Sequence, residues 1–293
     1  MNKKILATVF AVLAAALYAI NIPVSKLLMD NVDSTMMAGF LYLGAGVGMF
    51  FYTRIGDAFG TKIVKEPLTK AELPYTIAMI VLDIAAPILL MHGLRISTSA
   101  NATLLNNFEI VATSLIALIV FKETVSKRLW GAIALVTLAS IILTFEGAGS
   151  FSFNIGSFMV LGAATCWGFE NNCTRMLSHK SSEQIVIIKG IFSGAGALIA
   201  AFLIGEKFPQ GMFIIAVMML GFISYGLSIN FYIRAQAELG AAKTSAYYSI
   251  APFLGVAFSL LLLGERPGIQ FYIALAVLII GTILIIKDTL DKK

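Results

Sequence analysis

The chain has 293 residues, 59% hydrophobic and 13% charged, with a net charge of +5. A soluble domain carries about 25% charged residues, so this composition excludes a water-covered globule. The basic residues lie between apolar runs rather than on one solvated stripe, which argues against a nucleic-acid partner and for a polytopic membrane protein.

The N-terminus imitates a signal peptide, with Lys3-Lys4 before an apolar stretch from Ile5 to Tyr18. The run continues to Ile22 and further spans follow, so it reads as a first membrane helix that is kept. A membrane-spanning helix needs about 20 mostly apolar residues. Ten candidates appear in order, at 5–28, 35–53, 74–94, 98–121, 127–145, 155–177, 184–204, 212–234, 241–263 and 269–287. The one long connection, 54–72, is polar and carries four basic residues.

The chain also repeats. Tyr18-Ala19-Ile20-Asn21-Ile22-Pro23-Val24-Ser25-Lys26 returns in outline as Trp167-Gly168-Phe169-Glu170-Asn171-Asn172-Cys173-Thr174-Arg175, offset by 149. Leu118 to Glu123 returns as Leu260 to Glu265, offset by 142. The shorter connection between spans seven and eight accounts for the change of offset. The predicted units are therefore 1–146 and 154–290, with five spans each. With the N-terminus in the cytoplasm, 16 Lys and Arg fall near inner ends and 4 near outer ends, and Lys189 lies inside a span. That bias places both termini in the cytoplasm. An odd number of spans per unit turns the second upside down relative to the first. The expected fold is all-α integral membrane, ten transmembrane helices as a 5+5 inverted-topology repeat.

Glycines stripe span two (Gly44, Gly46, Gly48) and its partner, span seven (Gly190, Gly194, Gly196). Small residues let helix backbones approach closely in a membrane, and the alternative is that they ease rocking of mobile helices. Cys166 and Cys173 lie about two helical turns apart, too far to bridge, and read as packing residues.

Three carboxylates sit inside apolar spans: Asp83, Glu109 and Glu170. A charge at mid-bilayer costs roughly 2.5–3.5 kcal/mol, so such groups face a bundle interior or a water-filled cavity. They either serve substrate or proton, or hold helices together as protonated or paired groups. Trp167 and Thr174 share a helix face with Glu170, and Asn171 adjoins it. An aromatic ring beside a carboxylate suits an amine, although Trp167 also reads as a packing aromatic. Tyr18, Asn21 and Ser25 form the matching face in the first copy.

Asn106, Glu109 and Thr113 make a polar stripe on span four, and Pro87 follows Asp83 by four, freeing its carbonyl. Span eight carries Tyr225, Ser228 and Asn230, and span nine carries Lys243, Thr244, Ser245, Tyr247, Tyr248 and Pro252. Lys189 and Lys243 either snorkel to the surface or find a partner, Lys189 in Glu170 or lipid phosphate and Lys243 in a cavity carboxylate or an anionic substrate group. His92 and His179 lack a metal-ligand partner at useful spacing. No nucleotide loop, zinc site or nucleophile triad appears, so no cofactor is expected and an enzyme is disfavoured.

These features resemble the drug/metabolite transporter superfamily, EamA type with ten helices. The resemblance rests on the duplicated unit, on the Tyr18–Lys26 and Trp167–Arg175 segments, and on the closing turns at Glu123 and Glu265. The Arg95–Ala102 link, Glu109-Ile110 and Ala251-Pro252 add to it. Tyr18-Ala19 in place of Trp-Gly, and Lys122 in place of Gly, depart from the family pattern. The resemblance implies proton-coupled or exchange transport of small metabolites, commonly amino-acid export, through a cavity lined by spans 1, 3, 4, 6, 8 and 9. It gives Glu123 and Glu265 a structural turn role. The expected site is Asp83, Glu109, Glu170, Asn21, Tyr18, Trp167, Asn171, Asn106, Tyr225, Tyr247 and Tyr248. The expected partners are a small-molecule substrate, membrane lipids and protons as coupling ion. Organic cations are the rival substrate class.

Overall fold

The computed structural model describes residues 3–58, 66–120, 126–146, 152–177, 180–239, 244 and 247–291. Almost everything described is helical. The helices are α1 (Lys3–Ala19), α2 (Asn21–Leu28), α3 (Ser34–Ala58), α4 (Leu73–Arg95), α5 (Ser99–Asn106), α6 (Phe108–Ile119) and α7 (Lys127–Thr144). Then come α8 (Ile155–Leu177), α9 (Ser182–Leu203), α10 (Gly211–Gly221), a π-helical turn (Phe222–Leu227) and α11 (Ser228–Leu239). The last two are α12 (Ala251–Leu263) and α13 (Ile269–Asp291). A two-residue antiparallel bridge pairs Phe145 with Phe153 and Glu146 with Ser152 between α7 and α8.

Six stretches are long and apolar enough to cross a membrane: Ile5–Leu28, Ser34–Gly56, Lys70–Arg95, Ser99–Ile119, Ser182–Leu203 and Gly211–Ala235. Trp130–Ile142, Ala251–Leu263 and Ile269–Leu284 are shorter apolar helices. α8 has 23 residues, but Glu170, Asn171 and Asn172 fall together in it and lower its hydropathy. Large apolar side chains point outward along these helices, among them Phe51, Ile119, Phe192, Leu203 and Leu261. An outer surface of this kind suits lipid and not water.

Among the described residues four of the expected continuous spans are interrupted, the ninth by a turn at Ser249–Ile250 just before α12. The first breaks between α1 and α2 at Ile20, beside Pro23, which has no N–H to give the carbonyl of Ala19. The fourth breaks at Asn107, between Asn106 and Glu109. The eighth passes through the π-helical turn that contains Tyr225, a local widening often found at functional sites. α4, by contrast, runs as one helix through Pro87.

α3 lies along α9, α4 along α8, α1 along α11, α5 along α12 and α7 along α13. Glycine sets the first of these contacts. A Cβ on Gly46 would stand 2.6 Å from the backbone nitrogen of Ile191, and one on Gly190 would overlap the backbone of Gly46. No side chain fits between these backbones, and van der Waals contact and weak Cα–H···O bonds replace apolar burial there.

Polar clasps close both ends of the bundle. At one end Glu265 accepts from the backbone N–H groups of Ser99 (2.7 Å) and Ala100 (2.8 Å) at the start of α5. Glu206 does the same for Thr35 (3.0 Å) and Met36 (2.7 Å) at the start of α3. Gly264, with φ of 60°, turns the chain out of α12 and presents Glu265 to its partner helix. The structural role expected for Glu265 therefore has an atomic form; Glu123 and Lys122 lie outside the described residues. At the opposite end Lys180 pairs with Glu66 (3.1 Å) and Glu72 (3.5 Å), and Arg234 with Glu183 (2.7 Å).

Candidate substrate and coupling site

Two of the three membrane carboxylates meet on a single lysine. Lys189 Nζ stands 3.0 Å from Asp83 Oδ2 and 2.9 Å from Glu170 Oε1. Their residues are 5%, 0% and 2% exposed, so water screens none of the three charges. Each comes from a different helix: Asp83 from the middle of α4, Glu170 from the last third of α8 and Lys189 from the second turn of α9. Lys189 therefore points inward to the carboxylates and does not snorkel.

Hydrogen bonds fix the orientation of each acid. The Tyr42 hydroxyl donates to Asp83 Oδ1 at 2.8 Å, and Trp167 Nε1 donates to the Tyr42 oxygen at 3.2 Å. The Thr174 hydroxyl donates to Glu170 Oε1 from one turn further along α8. Asp83 Oδ2 receives no directed hydrogen bond; its contact with Lys189 is one of charge and distance.

Glu109 occupies a second, adjoining pocket of polarity. Asn171 Nδ2 donates to Glu109 Oε1 at 2.6 Å and reaches Thr113 Oγ1 at 3.3 Å. Asn172 Nδ2 donates to the carbonyl of Thr113 at 3.1 Å, so α8 is stitched to α6 along the stripe seen in the sequence. Consecutive residues thus serve different acids, because Glu170 and Asn171 point about 100° apart on the helix.

The aromatic residues form a continuous wall. Ring centroids are 4.9 Å apart for Tyr42 and Tyr225, 6.0 Å for Tyr18 and Tyr225, 5.8 Å for Tyr18 and Tyr248, and 5.0 Å for Tyr232 and Tyr248. Asn21 Nδ2 donates to the Tyr225 hydroxyl at 3.0 Å, and Asn106 Nδ2 to that of Tyr18 at 2.9 Å. A small cavity of about 20 Å³, lined by Tyr18, Thr103, Asn106 and Pro252 among others, lies at this wall. It has room for about one water.

Of the expected residues, Asp83, Glu170, Trp167, Asn21, Tyr18, Tyr225, Tyr248 and Asn106 join one ion-paired, hydrogen-bonded and ring-contact set, and Asn171 and Glu109 pair with each other beside it. Among the described residues no hydrogen bond ties half-buried Tyr247 to it. Lys243, Ser245 and His179 lie outside the described residues. Tyr42 and the bridging role of Lys189 complete the set; the sequence signal for both was a polar atom inside an apolar, glycine-rich span. Among the described residues no group of three or more His, Cys, Asp or Glu could hold a metal.

The chain resembles other proteins along nearly its whole length. An uncharacterized transporter of Methanothermobacter thermautotrophicus is 24% identical over 289 residues, covering 93% of this chain and 83% of that one. A solved crystal structure superposes with a TM-score of 0.68 at 16% identity, covering 95% of this chain and 94% of the other, a likeness of fold. The EamA-like transporter family matches residues 5–145 and, a second time, 154–287. The two matched stretches contribute helices to one charged interior, and the chain belongs to the EamA-like transporter family.

Proposed function

We propose that this membrane transporter is a secondary active carrier that exports an amino acid or related small metabolite by alternating access, coupled to protons or to a counter-substrate. The observation that carries the reading is the Asp83–Lys189–Glu170 cluster, enclosed at the meeting point of three helices. Apolar contacts would join those helices without burying charge, and a bundle interior that retains three charged groups is poised to exchange them with something else.

The ten-helix 5+5 inverted arrangement, with units 1–146 and 154–290, is supported by the twofold family match and by the packing. Exchanging spans one to five for spans six to ten turns the α1–α11 contact into the α8–α4 contact. It leaves α3–α9 and α7–α13 as themselves. The distribution of Lys and Arg supports a cytoplasmic-membrane protein with both termini in the cytoplasm. No acid–base or nucleophile constellation in the sequence supports an enzyme.

A second reading, transport of organic cations, is favoured by Trp167, Tyr42 and Tyr225 standing beside two carboxylates. Proteoliposomes loaded with a proton-sensitive dye and challenged with amino acids and quaternary amines separate the two. Flux of amino acids supports the first reading and an amine-only profile the second. Absence of substrate-dependent flux across a broad panel removes both. In the same assay, unchanged flux and pH dependence in Glu170→Gln would take Glu170 out of the site.

A further inference from the structure

We propose that Lys189 is the specificity-determining residue of the site: it cancels one of two buried carboxylate charges, so that the cluster accepts one monovalent positive charge per cycle, either a proton or the ammonium group of an amine substrate. This rests on the transporter reading and deepens its second form, transport of organic cations, by naming the charge class of the cargo and its competition with the proton.

Two carboxylates and one ammonium leave a net single negative charge. Its bearers are all at least 95% buried. An uncompensated charge in such a place is costly, and among the described residues no neighbour removes it. From α3, Tyr42 donates to Asp83 but stays neutral. α8 contributes Trp167, Thr174 and the thiols Cys166 and Cys173, none of them cationic. α6 contributes Glu109, a further acid, which is held by Asn171. The π-helical turn contributes Tyr225.

The uncompensated charge has an address. Asp83 Oδ2 is buried and accepts no directed hydrogen bond, while Oδ1 is occupied by Tyr42. Oδ2 therefore holds free lone pairs where a proton would add, or where a second ammonium would bind. Lys189 itself demonstrates that a primary ammonium fits between the acids, at 3.0 and 2.9 Å. A substrate amine that enters takes Asp83 and leaves Lys189 on Glu170, giving two neutral pairs. A protonated Asp83 does the same with one pair. The two occupants exclude each other, and each neutralises the cluster. The result is one-for-one exchange of an amine for a proton, without net charge movement. A zwitterion adds no net charge and leaves the deficit in place.

The test counts protons without needing transport. Protein in lipid vesicles, in a Glu109→Gln background to silence the third acid, is titrated while the carboxylic-acid C=O stretch is followed by infrared difference spectroscopy. The parent should gain one cluster proton and Asp83→Asn none. Lys189→Met, which loses the internal cation, should gain two. Lys189→Arg retains the charge and should keep the parental count, which separates charge from folding. Phenethylamine, a monocation with an aromatic body, should release the one proton of the parent on binding. Phenylalanine should not release it. An unchanged count in Lys189→Met, or a count in Asp83→Asn equal to the parent, overturns the charge assignment. An intact count with no proton release by phenethylamine overturns the competition. Flux is read separately: counts as expected with no flux for any solute would sink the transporter reading and leave the charge assignment standing.

Discussion

Asn21 donates its Nδ2 to the hydroxyl of Tyr225 across 3.0 Å, joining the break between α1 and α2 to the π-helical turn. The positions that the repeat aligns with these two are Glu170 and Asp83. They too are joined, through Lys189. One geometric relationship is thus used twice, once as a neutral hydrogen bond and once as a charged bridge. The neutral copy ties Asn21 to the aromatic wall, and the charged copy joins α4, α8 and α9.

The neutral pair can be tested by a double-mutant cycle. Tyr225→Phe leaves the buried amide of Asn21 short of a partner, and Asn21→Leu strands the Tyr225 hydroxyl. Each should destabilise the protein by about 1–3 kcal/mol, the cost of an unsatisfied buried polar group. The double variant should cost clearly less than the sum, because both polar partners are gone. Thermal unfolding in detergent measures this, and strictly additive losses would show that the hydrogen bond is not a coupled unit.

The glycine contact between α3 and α9 makes a second prediction. Gly190→Val forces apart two backbones that touch at Gly46, where overpacking of a tight interface costs about 1–3 kcal/mol or more. Yield and thermal midpoint should fall sharply. Gly211→Ala and Gly268→Ala, where an added Cβ meets nothing within 4 Å, should behave as the parent. Equal effects at all three positions would mean that glycine matters for flexibility and not for close approach.

Much of this was legible in the chain because hydrophobicity and charge act locally. The apolar runs mark the helices, and Asp83, Glu109 and Glu170 stand out against them. The break before Asn21 does not stand out, since 5–28 reads as one apolar run despite Pro23, just as α4 runs unbroken through Pro87. Other features were not legible either. Tyr42 looks like any aromatic of an apolar span until α4 and α8 bring Asp83 and Trp167 against it. Lys189, so near a span end, has a local solution in snorkelling; its inward pairing depends on two acids from helices over 100 and about 20 positions away in the chain. The π-helical turn at 222–227 has no local breaker of its own beyond Gly221 and Gly226, and it arises from packing against α3.

The Glu265 clasp separates stability from recognition. Its carboxylate accepts two backbone N–H groups at the start of α5, as a capping side chain does. Glu265→Ala should cost about 0.5–2 kcal/mol, the usual loss of a helix cap. The clasp sits at the end of the bundle, away from the Asp83–Lys189–Glu170 cluster, so KM for any transported solute should not change. A raised KM with unaltered stability would reassign Glu265 to the translocation path.

The clasp at the other end should respond to pH only at the extremes. Glu66, hydrogen bonded to Lys180, holds that ammonium above the usual lysine range. A cation with a raised folded value contributes stability that is complete below its unfolded value and is lost as pH climbs through the folded one. The clasp should therefore be constant across the neutral range and fail in strongly alkaline solution, while Glu72, held down at about 2 by its hydrogen bond from Thr69, gives up its part only in strong acid. Its backbone partners are the Ser181 N–H, 3.0 Å from the Glu66 carbonyl, and the Leu68 N–H, 2.9 Å from Gln184 Oε1. Hydrogen exchange at these two amides, corrected for the intrinsic rate, reports on it. Lys180→Met should show, at neutral pH, the exchange that the parent reaches in alkali. Protection that already declines in the parent between mildly acidic and neutral pH would mean that a group other than Lys180 holds this end of α9.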